Sequence, residues 1–213
     1  MTGSRPTVLC VHQGSERYGS DKSFVAAVAA MRHKAGWATR ILLPGRGAID
    51  GLVADAALAP ARTRHIWVLR KADLLRELTI GLPRNLWSVG RAVADLWHHD
   101  IVYVNTAVIV DFLFASILTR RRLVVHVREI PIGIAMAVIR RLLVTARAQV
   151  IFNSGATAAA FDLPPFIDRA VVHNGFDLPA PPIRRAGSRA RLRVLCIGRL
   201  NAWKGQEVLV EAC

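Results

Sequence analysis

Gly198, Arg199, Lys204 and Gly205 stand close together near the end of the chain, behind an apolar run over 194–197 and ahead of a helical pattern. Two cations beside glycines, facing the free N–H groups of a helix's first turn, make a cradle suited to a diphosphate. An ordinary strand-to-helix turn with solvated charges accounts for the same residues, and residue chemistry leaves both readings open. A second group is VVHVREIP at 124–131. Alternate strand residues share a face, so His126 and Arg128 project together, with Glu129 just past the strand end. There His126 is a candidate proton-exchanging or substrate-contacting group, or simply a packed or solvated histidine. The third group is the glycine-punctuated loop from His12 to Lys22, where Gly19, Ser20 and Asp21 precede a helix. A Gly-Ser pair with helix-start N–H groups behind it suits an anionic ligand. Ser20 or Asp21 acting as a helix cap is the plainer reading, and the two are compatible.

These groups are placed by an alternation of short apolar runs and helical patterns. Strands are predicted at 7–11, 40–43, 64–68, 101–104, 123–127 and 150–152. Between them, Phe24, Val28, Met31 and Ala35 recur at helical spacing until Gly36, and further helices are predicted at 49–58, 109–118 and 134–147. The stretch 72–99 is helical but interrupted by Gly81 and Pro83, which predicts two pieces, with Pro83 in the first turn of the second. Two other strands run out at polar pairs, Asn105-Thr106 and Asn153-Ser154, and Ser154 reads as a helix N-cap. Continuous Val/Ile/Leu strands alternating with helices imply a parallel sheet covered on both faces, a doubly wound α/β fold whose ligands bind at the strand exits.

Near residue 179 the texture changes to PAPPIRRAGSRARLR. A Pro- and Arg-rich stretch of this kind reads as a linker. The expected organisation is one domain over 1–178, a linker over 179–191, and the first strand and helix of a second, incomplete domain over 192–213.

The formal charge of +14 and a pI near 11.3 call for an anionic partner, whether phosphorylated substrate, acidic membrane or nucleic acid. Arg84, Trp87 and Arg91, and Arg140, Arg141 and Arg147 beside Val138, Ile139, Leu142 and Leu143, could lay a basic helix on a membrane surface. They could equally be solvated cations on helices that pack inward. Cys10, Cys196 and Cys213 have no metal-ligand spacing, and the first and second sit in apolar runs, which predicts small buried hydrophobes in a reducing compartment. No signal-peptide pattern opens the chain and no apolar stretch is long enough to span a bilayer. A soluble or peripheral protein is expected. Gly14 and Gly19 fail the spacing of the dinucleotide fingerprint, which argues against an NAD enzyme.

One resemblance ties the groups together. Gly198, Arg199, Leu200, Lys204 and Gly205 resemble the GRL…KG signature that opens the second domain of family 4 glycosyltransferases, enzymes of the GT-B type with two facing Rossmann-like domains. VHNGFD at 172–177 resembles that family's segment at the domain crossing, and Gly19-Ser20-Asp21 resembles its glycine loop. VVHVRE is similar to its His-plus-acid strand end with a departure. Aligning Glu129 with the acid puts Arg128 where the His is expected, while aligning His126 shifts the acid.

The resemblance implies a retaining transfer of a sugar from a nucleotide-sugar to a hydroxyl, with no metal and no cofactor. It implies donor contacts at Gly19, Ser20, Gly198, Arg199, Lys204 and Asn174, and acceptor contacts at His12, Asp21, Lys22 and Glu129. His126 or Arg128 would act at the reacting sugar. The family's Glu-containing donor motif would lie beyond Cys213, so the chain by itself is expected to be an inactive piece of the enzyme. A glycan or lipid-linked acceptor, a cytoplasmic location and the inner face of the membrane are the matching expectations. The alternative is a basic, non-enzymatic module binding nucleic acid or a membrane surface. Charges scattered over many helices favour it less than a clustered face would.

Overall fold

The structure, a computed structural model, describes residues 5–69, 76–77, 79–175, 194–198 and 205–213. The chain divides into two compact units, Met1–Gly175 and Phe176–Cys213.

The first unit is built on a parallel sheet of seven strands: β1 Thr7–Val11, β2 Ala38–Leu43, β3 Arg62–Thr63, β4 Ile101–Val104, β5 Leu123–Val127, β6 Gln149–Phe152 and β7 Arg169–Val171. Their order across the sheet is β3-β2-β1-β4-β5-β6-β7. The order reverses direction at β1, so β1 and β4 lie side by side at the switch point where doubly wound folds bind ligands. The helices are α1 Gly19–Ala29, α2 Ile49–Asp55, α3 Leu82–His98, α4 Val110–Thr119, α5 Ile134–Thr145 and α6 Gly155–Phe161.

Strand alternation splits the core in two. Leu9, Val11, Val102, Val104, Val125 and Phe152 face α3, α4, α5 and α6. Val8, Cys10, Ile41, Leu43 and Tyr103 face α1 and α2 through Phe24, Val25, Val28, Ile49 and Val53. Both sides of β1 are sealed, which is why its sequence is a continuous apolar run rather than an alternating one.

Three elements differ from the sequence reading. The strand predicted at 64–68 is displaced: β3 pairs with β2 only at Arg62 and Thr63, and Val68 makes a single antiparallel bridge to Ile109. The pairing stops at the first residue of the predicted strand, Arg64, whose N–H still reaches the Leu43 carbonyl at 3.1 Å while its side chain binds Ser88 and Asp95 on α3 at 3.0 and 2.9 Å. Helix α1 starts before Phe24, at Gly19, so Ser20 and Asp21 lie inside its first turn. The edge strand β7 was not anticipated, because Arg169, Ala170 and Val171 are exposed and carry no core signal. Elsewhere β1 and β5 fall where the pattern put them, Gly36 ends the first helical segment at φ +72°, and Pro83 lies in the first turn of α3.

In the second unit, the run at 194–197 belongs to no strand and is exposed, Val194 at 55% and Ile197 at 87%. A buried strand was expected there. A single strand has no ladder partner and no sheet face to cover, so apolar content alone does not bury it. Cys196 is accordingly exposed, not buried, as is Cys213; only Cys10 follows the expectation. A short helix, α7 Gln206–Glu211, follows.

Candidate functional site

The register of the sheet sets up the site. Val11 lies opposite Val104, and Val104 opposite Val125. One residue further on, His12, Asn105 and His126 therefore stand side by side at the exits of three adjacent strands. They continue the sheet face that carries Cys10, Tyr103 and Val124, the α1 side. All three are buried.

Hydrogen bonds join them into one chain. The Asp21 carboxylate accepts from the Tyr18 backbone N–H at 2.8 Å and contacts His12 Nε2 at 2.9 Å. The Asn105 amide nitrogen lies 3.0 Å from His12 Nδ1. An amide N–H₂ can only donate, so His12 Nδ1 is the acceptor and Nε2–H donates to Asp21. Asn105 Oδ1 accepts from the Tyr103 hydroxyl at 3.0 Å and from Arg128 Nε at 2.8 Å. Arg128 Nη1 donates to Asn174 Oδ1 at 2.7 Å, and Asn153 donates to the Arg128 carbonyl at 3.2 Å. The network thus spans the exits of β1, β4, β5, β6 and β7.

His126 closes it. Its Nδ1 is 2.8 Å from the Tyr103 hydroxyl and 3.4 Å from Arg128 Nη2. The Tyr103 hydroxyl reaches both Asn105 Oδ1 and His126 Nδ1, and Arg128 Nη2, which can only donate, faces the same Nδ1. His126 Nε2 is buried and has no hydrogen-bond partner. Burial, helped by the neighbouring Arg128 cation, lowers the imidazole pKa to about 4, so the ring is neutral near pH 7. Burial also raises Tyr103 to about 12, against the pull of Arg128, which keeps its hydroxyl proton in place. Burial pushes Asp21 upward as well, but the hydrogen bonds from His12 and the Tyr18 N–H together outweigh it, and the carboxyl lies below its ordinary value. The resulting array is a neutral imidazole whose Nε2 has no partner, beside a guanidinium that the described residues meet with neutral groups, Asn105, Asn174 and His126. It suits hydroxyl and oxyanion ligands.

The sequence-derived residues separate into groups. His12, Asp21, His126, Arg128 and Asn174 are brought together, so the alternatives His126 and Arg128 are neighbours in one array. Glu129 sits beside it, held by Thr106 at 2.8 Å and Gln13 at 3.2 Å. Gly19, Ser20 and Lys22 are exposed at the start of α1, and space is open around Gly19. Asp21 caps α1 through its carboxylate, whereas Ser20 lies past the N-cap position taken by Tyr18. Ser154 caps α6, accepting from Thr157 N at 3.1 Å. Gly198 belongs to the second unit, and Arg199 and Lys204 lie outside the described residues.

Three functional candidates escaped the sequence reading. Asn105 was visible only as a polar strand exit, and Tyr103 only as one residue of the strand at 101–104. Gly14 carried a legible signal, a glycine two residues beyond a strand-end histidine. A Cβ there would overlap the Asp21 carboxylate and come within 2.8 Å of His12 Nε2, so the loop closes over the pair only with glycine.

A cavity of about 590 Å³ lies elsewhere. Ser116, Ile117, Arg120, Thr145, Ala146 and Arg147 line it at the C-terminal ends of α4 and α5, and none belongs to the network. No three His, Cys, Asp or Glu side chains among the described residues converge as a metal site would require.

No protein-family model and no curated protein matches the chain. Solved structures do. The Anabaena protein HepE in complex with UDP-glucose is similar over 81% of this chain at 22% identity and a TM-score of 0.61. The chain has the Rossmann-like fold of a GT-B half. A glycosyltransferase from Rickettsia africae is similar at 13% identity and a TM-score of 0.54, and Acinetobacter baumannii MurG at 16% and 0.52, over 80% and 81% of this chain. The chain spans less than half the length of these neighbours, 45%, 43% and 47% respectively.

Proposed function

We propose that the chain is the acceptor-side part of a retaining, nucleotide-sugar-dependent glycosyltransferase of family 4, acting in cell-envelope glycan or glycolipid synthesis. The observation that carries this reading is the unpartnered Nε2 of neutral His126 beside Arg128, at the strand exits of a sheet similar to that of HepE, which was solved with UDP-glucose.

Sugar transfer breaks the bond between the anomeric carbon and the donor diphosphate, and the electron pair leaves with the phosphate. The acceptor hydroxyl forms the new bond to the anomeric carbon and passes its proton to the departing phosphate oxygen. His126 Nε2 can form a hydrogen bond with a sugar or acceptor hydroxyl and orient it. Arg128, fixed by Asn105 and Asn174, offers positive charge where negative charge develops. Gly19 and Ser20 at the start of α1 would contact the donor phosphates, and Asn174, Gly198, Arg199 and Lys204 are proposed as further donor contacts. His12, Asp21, Lys22 and Glu129 would face the acceptor, with Asp21 also holding His12 in place. The reaction as read needs no metal and no cofactor. The chain by itself is expected to bind weakly and not to turn over, and the enzyme is expected in the cytoplasm at the inner face of the membrane.

Titrating the ¹⁵N-labelled chain with UDP-, GDP- and ADP-sugars at millimolar concentration tests this. Shifts should concentrate at Gly19, Ser20, His126 and Arg128, and His126→Ala should weaken the response about tenfold, the effect of one lost hydrogen bond to a ligand. Shifts that ignore these residues for every sugar nucleotide, or that appear only with NAD or RNA, would sink the reading.

A further inference from the structure

Helix α3 buries Asn85, Ser88, Val89, Ala92 and Leu96 against the sheet and α4. That stripe satisfies everything packing asks of it. The opposite face would then be expected to be polar, yet Leu86 is 59% exposed and Trp87 and Trp97 are each 58% exposed. Ile80 just before the helix, Leu82 in its first turn and Leu118 on α4 add further exposed apolar surface.

Each tryptophan carries a cation. Arg91 lies over Trp87 at 5.7 Å, and Arg121, from the loop after α4, over Trp97 at 4.1 Å. Neither arginine has a carboxylate partner among the described ion pairs, whereas Arg84 is bound to Glu77 at 2.9 Å. The only acid on α3, Asp95, is taken by Arg64 at 2.9 Å. Arg120 and Arg122 extend the exposed positive charge.

We propose that this outward face of α3 is a docking surface for an anionic lipid bilayer. Tryptophan is suited to the headgroup level, where its ring meets hydrocarbon and its N–H meets water, and an arginine beside it meets lipid phosphate. The aliphatic neighbours decide between lipid and nucleic acid. Leu86, Leu118, Ile80 and Leu82 stack no bases, and the surface is the convex side of a helix rather than a groove that could follow a strand. The crossover from β3 to β4 starts α3 at the strand-exit end of the sheet, the end that carries His126 and Arg128. Leu82, Leu86 and Trp87 in the first turns of α3 lie toward that end, while Trp97, Leu118 and Arg121 lie toward the opposite, strand-entry end. The surface stands apart from the transferase reading, and its test uses no turnover.

The full chain is mixed with vesicles of phosphatidylcholine, with and without phosphatidylglycerol, and binding is followed by co-sedimentation and by quenching of tryptophan emission with brominated lipid. Binding should require the anionic lipid and fall several-fold as salt is raised. Trp87→Ala with Trp97→Ala should weaken it at least tenfold, and Arg91→Gln with Arg121→Gln should remove most of its salt dependence. Both pairs are solvent-facing, and circular dichroism checks that each variant stays folded. Equal binding by the variants, loss caused instead by Ile132→Ser in the exposed loop before α5, or binding to RNA but not to vesicles would overturn the proposal. Vesicle binding without sugar-nucleotide shifts would keep this surface and remove the transferase reading, and the opposite result would do the reverse.

Discussion

The chain contains nearly the same four residues twice, Val8-Leu9-Cys10-Val11 and Val194-Leu195-Cys196-Ile197, and they meet opposite fates. In the first copy the four are at most 3% exposed and lie in the middle of a sheet, paired with β2 and β4. In the second, Leu195 is 81% exposed and the segment belongs to no strand. Strand propensity is equal in the two, so propensity did not bury the first copy. Neighbouring strands and two helical layers did.

The largest expected difference is in thiol chemistry. Burial raises the Cys10 pKa to about 12, which removes the thiolate at neutral pH, while Cys196 is open to solvent. Alkylation followed by mass spectrometry should modify Cys196 and Cys213 quickly and Cys10 at least roughly a thousandfold more slowly, since Cys10 must wait for opening of the core. Comparable rates at Cys10 and Cys196 would abolish the contrast.

Stability should divide in the same direction. Leu9→Ala removes a β1 side chain buried in the core cluster that includes α3 and α4 and should destabilise the first unit by about 2–5 kcal/mol in urea denaturation. Leu195→Ala should change the midpoint by no more than about 0.5 kcal/mol. An equal loss at the two positions would mean that the second copy is buried after all.

The smallest effect is a pH response belonging to the first unit alone. His126 has a folded pKa of about 4 against 6.5 for the free group, so folding favours its neutral form. Its contribution is intact above pH 6.5 and is lost as pH falls toward 4. After allowance for partial solvent screening, stability should drop by roughly 1–2 kcal/mol between pH 7 and pH 5. His126→Gln should flatten that slope, and an unchanged slope in the variant would place the titrating group elsewhere.

Most of the sheet was legible because it is made of continuous apolar runs punctuated by glycine and polar exits. β1 and β5 were placed to the residue for that reason. β3 was misplaced because its pairing with β2 ends at Arg64, beyond which Val68 makes a single bridge to Ile109, and β7 was missed because an exposed edge strand needs no apolar pattern. Of the site, His126 and Arg128 were legible from period-two alternation, and Asp21 from its place before a helix. Asn105 as the junction between His12 and Arg128 was not, because their meeting depends on the register of three strands far apart in sequence.

The sequence by itself determined the alternation of strands and helices, the excess positive charge and the polar character of the strand exits, since these follow from local spacing and residue type. Tertiary structure alone decided which of two equivalent apolar runs is buried, that His126 is neutral with a free Nε2, and that two tryptophans of α3 face solvent. Burial and hydrogen-bond partnership come from residues brought in from distant parts of the chain, and local pattern carries no record of them.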